Sequence, residues 1–301
     1  MNSIGAYKFV KFLSSGTYGG VWECRHITTG ELVACKIIDL ENCKNPDFLP
    51  HFKNELIIHS QIRHPSITQL LDVLMDKENL YIIVELCDGG DLNDIVISSG
   101  GLTESQARHY FRQIMSAVSY IHQLGVAHRD IKLENILITS NDQAKLTDFG
   151  LCKQQNTGSL LLTTCGTLIY AAPEIIKEEP YDGTKADIWS AGIVLFAMVA
   201  NHFPWSTDED LPPDKLVHET ARQIVNGEIS LPEGISFELQ NLLAYMLNID
   251  PDERPTAEDV LQHPWMEIEP EEIDMRSTEP DMNLVNSVKQ LVVELDKIAE
   301  Q

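Results

Sequence analysis

The feature that most constrains the fold is a change of periodicity about one third of the way along the chain. From Tyr7 to about Leu86 the apolar residues come in short runs such as Val33-Ala34-Cys35-Lys36-Ile37-Ile38 and Leu80-Tyr81-Ile82-Ile83-Val84. Short, β-branched runs bounded by polar residues read as strands, because branching at Cβ suits a pleated surface. One helical stretch interrupts them, near Pro50 to Arg63, with Phe52, Leu56 and Ile62 among its apolar positions. Asp88-Gly89-Gly90-Asp91 then reads as a hinge or linker. From Thr103 onward the period is helical. Ala107, Tyr110, Phe111, Ile114, Met115, Val118 and Ile121 form one stripe, opened by the capping pair Thr103 and Gln106 and followed by Gly125. Thr256 and Asp259 mark another helix start. A strand-rich first third followed by a helical remainder predicts an α+β protein of two lobes.

The 301 residues suffice for one large or two medium cores, and a hydrophobic fraction of 43% fits a globular chain. No charge-free apolar run reaches membrane-spanning length, so no transmembrane helix is expected. Met1 to Gly5 lacks the cationic start of a secretory signal, and Met1-Asn2 lacks the glycine that myristoylation needs. The six cysteines, Cys24, Cys35, Cys43, Cys87, Cys152 and Cys165, include no Cys-x-x-Cys pair, which argues against zinc. Scattered thiols fit a reducing compartment, cytoplasmic or nuclear. A net charge of -24 repels nucleic acid and anionic membrane and favours basic partners; solubility alone is the plainer account of it.

Two motifs carry chemistry. His128-Arg129-Asp130-Ile131-Lys132-Leu133-Glu134-Asn135 places a carboxylate, a cation and an amide at fixed spacing, and Asp148-Phe149-Gly150 adds a second carboxylate shortly after. Upstream, Leu13-Ser14-Ser15-Gly16-Thr17-Tyr18-Gly19-Gly20-Val21 is glycine-rich, and glycines let backbone approach phosphates closely. That loop would be a weak signal alone. Together the motifs, with Val33-Ala34-Cys35-Lys36 and Ala172-Pro173-Glu174, resemble the eukaryotic protein kinase domain of serine/threonine type over residues 7 to 266. Ser14 stands where the family pattern has its first glycine.

The resemblance implies a bilobal fold: an N-lobe over 1–86, hinge and C-lobe over 87–266, and an acidic extension over 267–301. It implies ATP and Mg2+ as cofactors, with Mn2+ as a substitute, and transfer of the γ-phosphoryl group to protein hydroxyls. Asp130 would align the hydroxyl, Lys132 would neutralise charge on the moving group, and Asn135 and Asp148 would hold the metal. Lys36 would bind the α- and β-phosphates, with Glu55 as its ion-pair partner. Leu13, Ser14, Gly16 and Gly19 would cover the nucleotide. Val21 and Ala34 would lie above the adenine and Leu137 below it. Glu85 and Cys87 belong to the hinge, Val84 is the gatekeeper, and Glu134 borders the same pocket. His59 falls where many kinases place an apolar residue, a departure expected to loosen the active arrangement.

The segment from Asp148 to Glu174 resembles an activation segment. Thr163 and Thr164 would accept a regulatory phosphate from an upstream activating kinase, Arg129 would engage it, and Thr167 would contact Asp130 and Lys132. The same phosphate-free loop could equally be active. Arg254 would pair with Glu174, and Asp187 would brace the catalytic loop. Cys165-Gly166-Thr167-Leu168-Ile169-Tyr170-Ala171-Ala172-Pro173-Glu174 and Phe203-Pro204-Trp205 resemble the calmodulin-dependent kinase group, nearest checkpoint kinase one and the AMP-activated-kinase relatives. Asp148 to Lys153 is also similar to the cyclic-nucleotide-dependent and protein-kinase-B group. Asp91 and Glu134 match acids that receive an arginine three residues before the target hydroxyl, so protein substrates basic near the serine or threonine are implied, with checkpoint or stress signalling as one role. A pseudokinase scaffold is the alternative. Leu284, Val288, Leu291, Leu295 and Ile298 form one apolar stripe on a terminal helix, expected to dock on the second lobe; autoinhibition and partner docking are the other readings.

Overall fold

The computed structural model of the chain describes residues 3–16, 19–46, 48–148, 168–205, 212–267 and 279–299. They divide into two compact units. One runs to Asp88 and includes the C-terminal segment; the other begins at Gly89.

The first unit is built on a six-stranded sheet of β1 (Ser3–Ile4), β2 (Tyr7–Gly16), β3 (Gly19–His26), β4 (Leu32–Asp39), β5 (Leu70–Met75) and β6 (Asn79–Glu85), in the order β1-β2-β3-β4-β6-β5. All its pairings are antiparallel. Alternation along the strands sorts side chains onto two faces. Tyr7, Cys24, Val33, Cys35, Tyr81 and Ile83 make a core on one face. On the other, Ile38, Leu80 and Ile82 pack with Leu49, Phe52 and Leu56 of helix α1 (Leu49–Gln61).

That second core also contains Leu284, Val288, Leu291 and Leu295 of the terminal helix, Met282–Ala299. The helix packs against α1, β5 and the short 3-10 turn Leu40–Lys44, and its Asp296 pairs with Lys53 of α1. The expectation of docking on the second lobe is therefore corrected: this helix belongs to the first unit. Its periodicity marks which face is apolar but carries no information about the surface it meets. Leu284, Val285, Val288, Leu291 and Leu295 are all buried. At about 1.5–3 kcal/mol gross per side chain, an upper figure, the docking is worth on the order of 10 kcal/mol before entropy is set against it.

The second unit is mainly helical: α2 (Leu92–Ser99), α3 (Glu104–Gln123), α4 (Pro173–Ile176), α5 (Gly183–Ala200), α6 (Pro213–Asn226), α7 (Phe237–Met246) and α8 (Ala257–Leu261), with a hairpin of β7 (Ile136–Ile138) and β8 (Ala144–Leu146). The capping boxes at Thr103/Gln106 and Thr256/Asp259 both form. Gly125 follows α3 with φ 74°, and its N–H donates to the His122 carbonyl at 2.9 Å. Over 18 residues helix α5 has a mean hydropathy of 1.2, long and apolar enough to cross a membrane by length and composition. Two charged residues, Lys185 and Asp187, interrupt the run. Inside the unit 67% of it is buried, including Trp189, Ile193, Val194, Leu195 and Phe196, so it is a core helix.

Candidate active site

In the first unit, sheet register assembles the nucleotide-facing candidates. Val21 lies opposite Lys36, and Ala34 lies opposite Val84. Because opposed residues share a face, Val21, Ala34, Lys36 and Val84 all line the same side. On β2, Phe12 pairs with Trp22 and Ser14 with Val21, which leaves Leu13 as an extra, exposed residue in a bulge. Gly16 and Gly19 close the hairpin. A Cβ on Gly19 would lie 1.9 Å from the Ile37 carbonyl oxygen, and its φ is 157°. The neighbouring strand thus requires the glycine. Thr17 and Tyr18 lie outside the described residues.

Glu55 is buried on α1, one turn before His59. His59 is buried too, with Nε2 2.8 Å from the Thr68 carbonyl oxygen. A ring N–H donating there satisfies the buried side chain and ties α1 to the loop that follows. Glu85 ends β6, and its N–H donates to the Gln69 carbonyl at 2.9 Å; Cys87 is half-buried.

In the second unit, the turn carrying Asp130 is held from below by one buried carboxylate. Asp187, on α5, accepts from the backbone N–H of His128 and of Arg129, each at 2.7 Å, and from His122 Nε2 at 2.9 Å. These charge-assisted bonds are the strong kind, and they hold Arg129 in a left-handed conformation, φ 65°. A side chain on Gly183 would meet Ala127 Cβ at 2.8 Å, so the start of α5 must be bare there. His128 is buried; its Nδ1 accepts from the Asp130 N–H at 3.3 Å and its Nε2 faces the Thr147 carbonyl at 3.0 Å. This pattern requires the neutral tautomer with the proton on Nε2. Burial pushes its pKa down, against the upward pull of Asp187 and Asp130.

Above this platform, Asp130 Oδ2 accepts from Lys132 Nζ and from Asn135 Nδ2, both at 2.9 Å, and Asn135 Nδ2 also donates to the Asp130 carbonyl at 2.8 Å. Lys132 and Asn135 thus converge on one oxygen. With its amide nitrogen so committed, Asn135 presents its Oδ1 on the opposite side. The Thr147 N–H donates to the Asn135 carbonyl at 3.0 Å, continuing the β7–β8 ladder. Asn135 and Asp148 therefore stand at adjoining ends of two paired strands, and Asp148 has φ 53°. Among the described residues no three His, Cys, Asp or Glu side chains form a metal cluster. Two hard oxygen donors fit a magnesium ion that completes its shell with water and phosphate oxygens.

The peptide-facing candidates have structural partners of their own. Asp91 caps α2, its Oδ1 accepting from the Asp94 N–H at 2.9 Å, and it bridges by backbone to Leu137. Glu134 is exposed and accepts from the Tyr170 hydroxyl at 3.2 Å. Arg254 and Glu174 form the expected tie, a buried fork with oxygens at 2.6 and 2.7 Å. Phe149, Gly150, Cys152, Thr163, Thr164, Cys165 and Thr167 lie outside the described residues. Sequence reasoning missed His122, Tyr170 and Gly183. The first two are partners only through long-range packing. The glycine was visible, but only the structure shows the side chain it must avoid.

The sequence matches the family model "Protein kinase domain" over residues 7–266. It is 38% identical over 267 residues to CBL-interacting protein kinase 19 of Oryza sativa subsp. japonica, covering 88% of this chain and 51% of that one. It is 37% identical over 265 residues to CBL-interacting serine/threonine-protein kinase 12 of Arabidopsis thaliana, covering 87% and 53%. It is 38% identical over 262 residues to maternal embryonic leucine zipper kinase of Xenopus tropicalis, covering 86% and 39%. The chain thus spans about half the length of these relatives or less. They fall in the calmodulin-dependent kinase group with the AMP-activated-kinase relatives, the group that Cys165 to Glu174 resembles. With the match running from the first long strand to the last turn of the helical unit, the chain belongs to the protein kinase domain family.

Proposed function

We propose that this chain transfers the γ-phosphoryl group of Mg-ATP to serine and threonine hydroxyls of proteins. The observation that carries the reading is the convergence of Lys132 and Asn135 on one oxygen of Asp130, on a turn braced by Asp187. Such a set aligns a hydroxyl and offsets charge where it develops, and positioning with electrostatics accounts for most of this chemistry. Asp130 orients the hydroxyl and takes its proton. Lys132 faces the transferred group. Asn135 and Asp148 supply metal ligands, and Lys36, supported by Glu55, grips the phosphates.

Substrate choice is part of the proposal. Glu134, exposed and steadied by Tyr170, and Asp91 receive an arginine three residues before the target hydroxyl. A phosphate placed on Thr163 or Thr164 by an upstream kinase would engage Arg129. Some relatives are named as CBL-interacting, which supports a regulatory binding partner for the whole protein; signalling in the cytoplasm or nucleus is part of the same proposal. The test is magnesium-dependent transfer of labelled phosphate to serine peptides with and without that arginine, comparing wild type with Asp130→Asn. Loss of transfer in the variant is expected. Transfer that survives Asp130→Asn sinks the assignment of the site, and ATP binding without transfer by wild type favours a scaffold. Equal use of both peptides removes the arginine preference.

A further inference from the structure

The family match ends at residue 266, yet the hydrophobic core of the first unit continues beyond it. Val288, Leu291 and Leu295 of the terminal helix lie in one cluster with Leu49, Phe52 and Leu56 of α1. At 3.6 residues per turn those three α1 residues form one stripe, bordered by Lys53, while Glu55 and His59 form the neighbouring stripe. The terminal helix covers the first stripe, and its Asp296 pairs with Lys53. The second stripe is tied through His59 to the Thr68 carbonyl. Helix α1 is thus gripped on two sides, and the two grips together set its rotation about its own axis, which is what aims Glu55. Its start is held by packing alone: Phe48 at the N-cap offers no side-chain hydrogen bond, but Phe48 and Leu49 are buried in the same cluster.

We infer that the terminal helix, Met282–Ala299, is a positioning element for Glu55, so that phosphoryl transfer depends on a segment outside the family domain. The inference rests on the kinase reading and on the role given there to Glu55. Its sign is activating. The helix completes a core that α1 and β5 leave open, and its loss would free α1 to turn.

The test uses the full chain. In Val288→Ala/Leu291→Ala, kcat should fall about tenfold or more while the KM for peptide stays within about twofold, since the peptide-facing acids are on other elements. Amide exchange over residues 49–61 should rise, and Leu291→Met should behave as wild type. Exchange that rises at 49–61 with kcat unchanged or increased overturns the inference. If the double variant does not fold, charge decides. Asp296→Lys should lower kcat about two- to threefold at low salt, with recovery on adding Lys53→Asp; no loss, or loss without recovery, overturns it. Failure of wild type to phosphorylate any peptide would sink the kinase reading instead, and exchange at 49–61 would still show whether the two helices are coupled.

Discussion

The guanidinium of Arg254 has five N–H groups, and each has an acceptor. Nε donates to the Asn248 carbonyl at 2.7 Å. One terminal nitrogen donates to Glu174 at 2.6 Å and the Lys185 carbonyl at 3.1 Å; the other donates to Glu174 at 2.7 Å and the Ile249 carbonyl at 3.2 Å. Both side chains are buried, at 0% and 5% exposure. Arg254→Met keeps much of the volume but strands a buried carboxylate, which costs about 3–5 kcal/mol. The three carbonyls that lose a donor add roughly 1 kcal/mol or more. The expected loss, about 5 kcal/mol, approaches the whole stability of many domains. Replacing both charges, as Arg254→Met with Glu174→Leu, removes the stranded carboxylate. The double variant should therefore recover about 2 kcal/mol or more relative to the sum of the singles. Urea unfolding followed by tryptophan fluorescence would measure it, because Arg254 lies over the Trp189 ring at 5.0 Å. A loss below about 1 kcal/mol for Arg254→Met, or strict additivity, would refute the argument that the fork is fully desolvated and mutually dependent.

Further outcomes can be checked separately. Burial holds the His128 imidazole below its usual value, so the unfolded chain takes up a proton first as pH falls through about 6.5. This contribution to stability is present above that pH and is lost below it, with a slope of up to about 1.4 kcal/mol per pH unit that His128→Gln should flatten in pH-dependent unfolding. Gly183→Ala places a methyl 2.8 Å from Ala127 Cβ; a loss of about 1–3 kcal/mol is expected in thermal or urea unfolding, and no loss would show that the turn yields freely. Cys24 and Cys35 are buried and their thiols are pushed up by that burial, and Cys43 is pushed up to about 11 for the same reason first. Brief alkylation of the native chain at neutral pH, mapped by peptide mass, should therefore mark half-buried Cys87 ahead of these three.

What could be read from the sequence, and what could not, divides along the range of the interactions. The helices α3 and α8 announced their starts because a capping box is a local exchange between residues three apart. The roles of Val21, Ala34, Lys36 and Val84 were implied by the kinase likeness, while their shared face needed the strand register, which pairs residues distant in the chain. The partner of His59 was not legible, because the Thr68 carbonyl sits in a loop beyond the end of the helix. The terminal helix was assigned to the wrong unit for a related reason: an apolar stripe fits many apolar grooves, and only assembled coordinates say which one is left open.

The place of that helix bears on how the chain can be made. A ribosome releases the first 88 residues long before Met282–Ala299, with the entire second unit synthesised between them. At about 5–20 residues per second, that interval is roughly 10–40 s. Throughout it, Phe52, Leu56 and the strand residues beneath them lack their final cover. The unit that emerges first is thus the one that finishes last, and a chaperone that shields apolar surface would have its longest engagement at the N-terminal end.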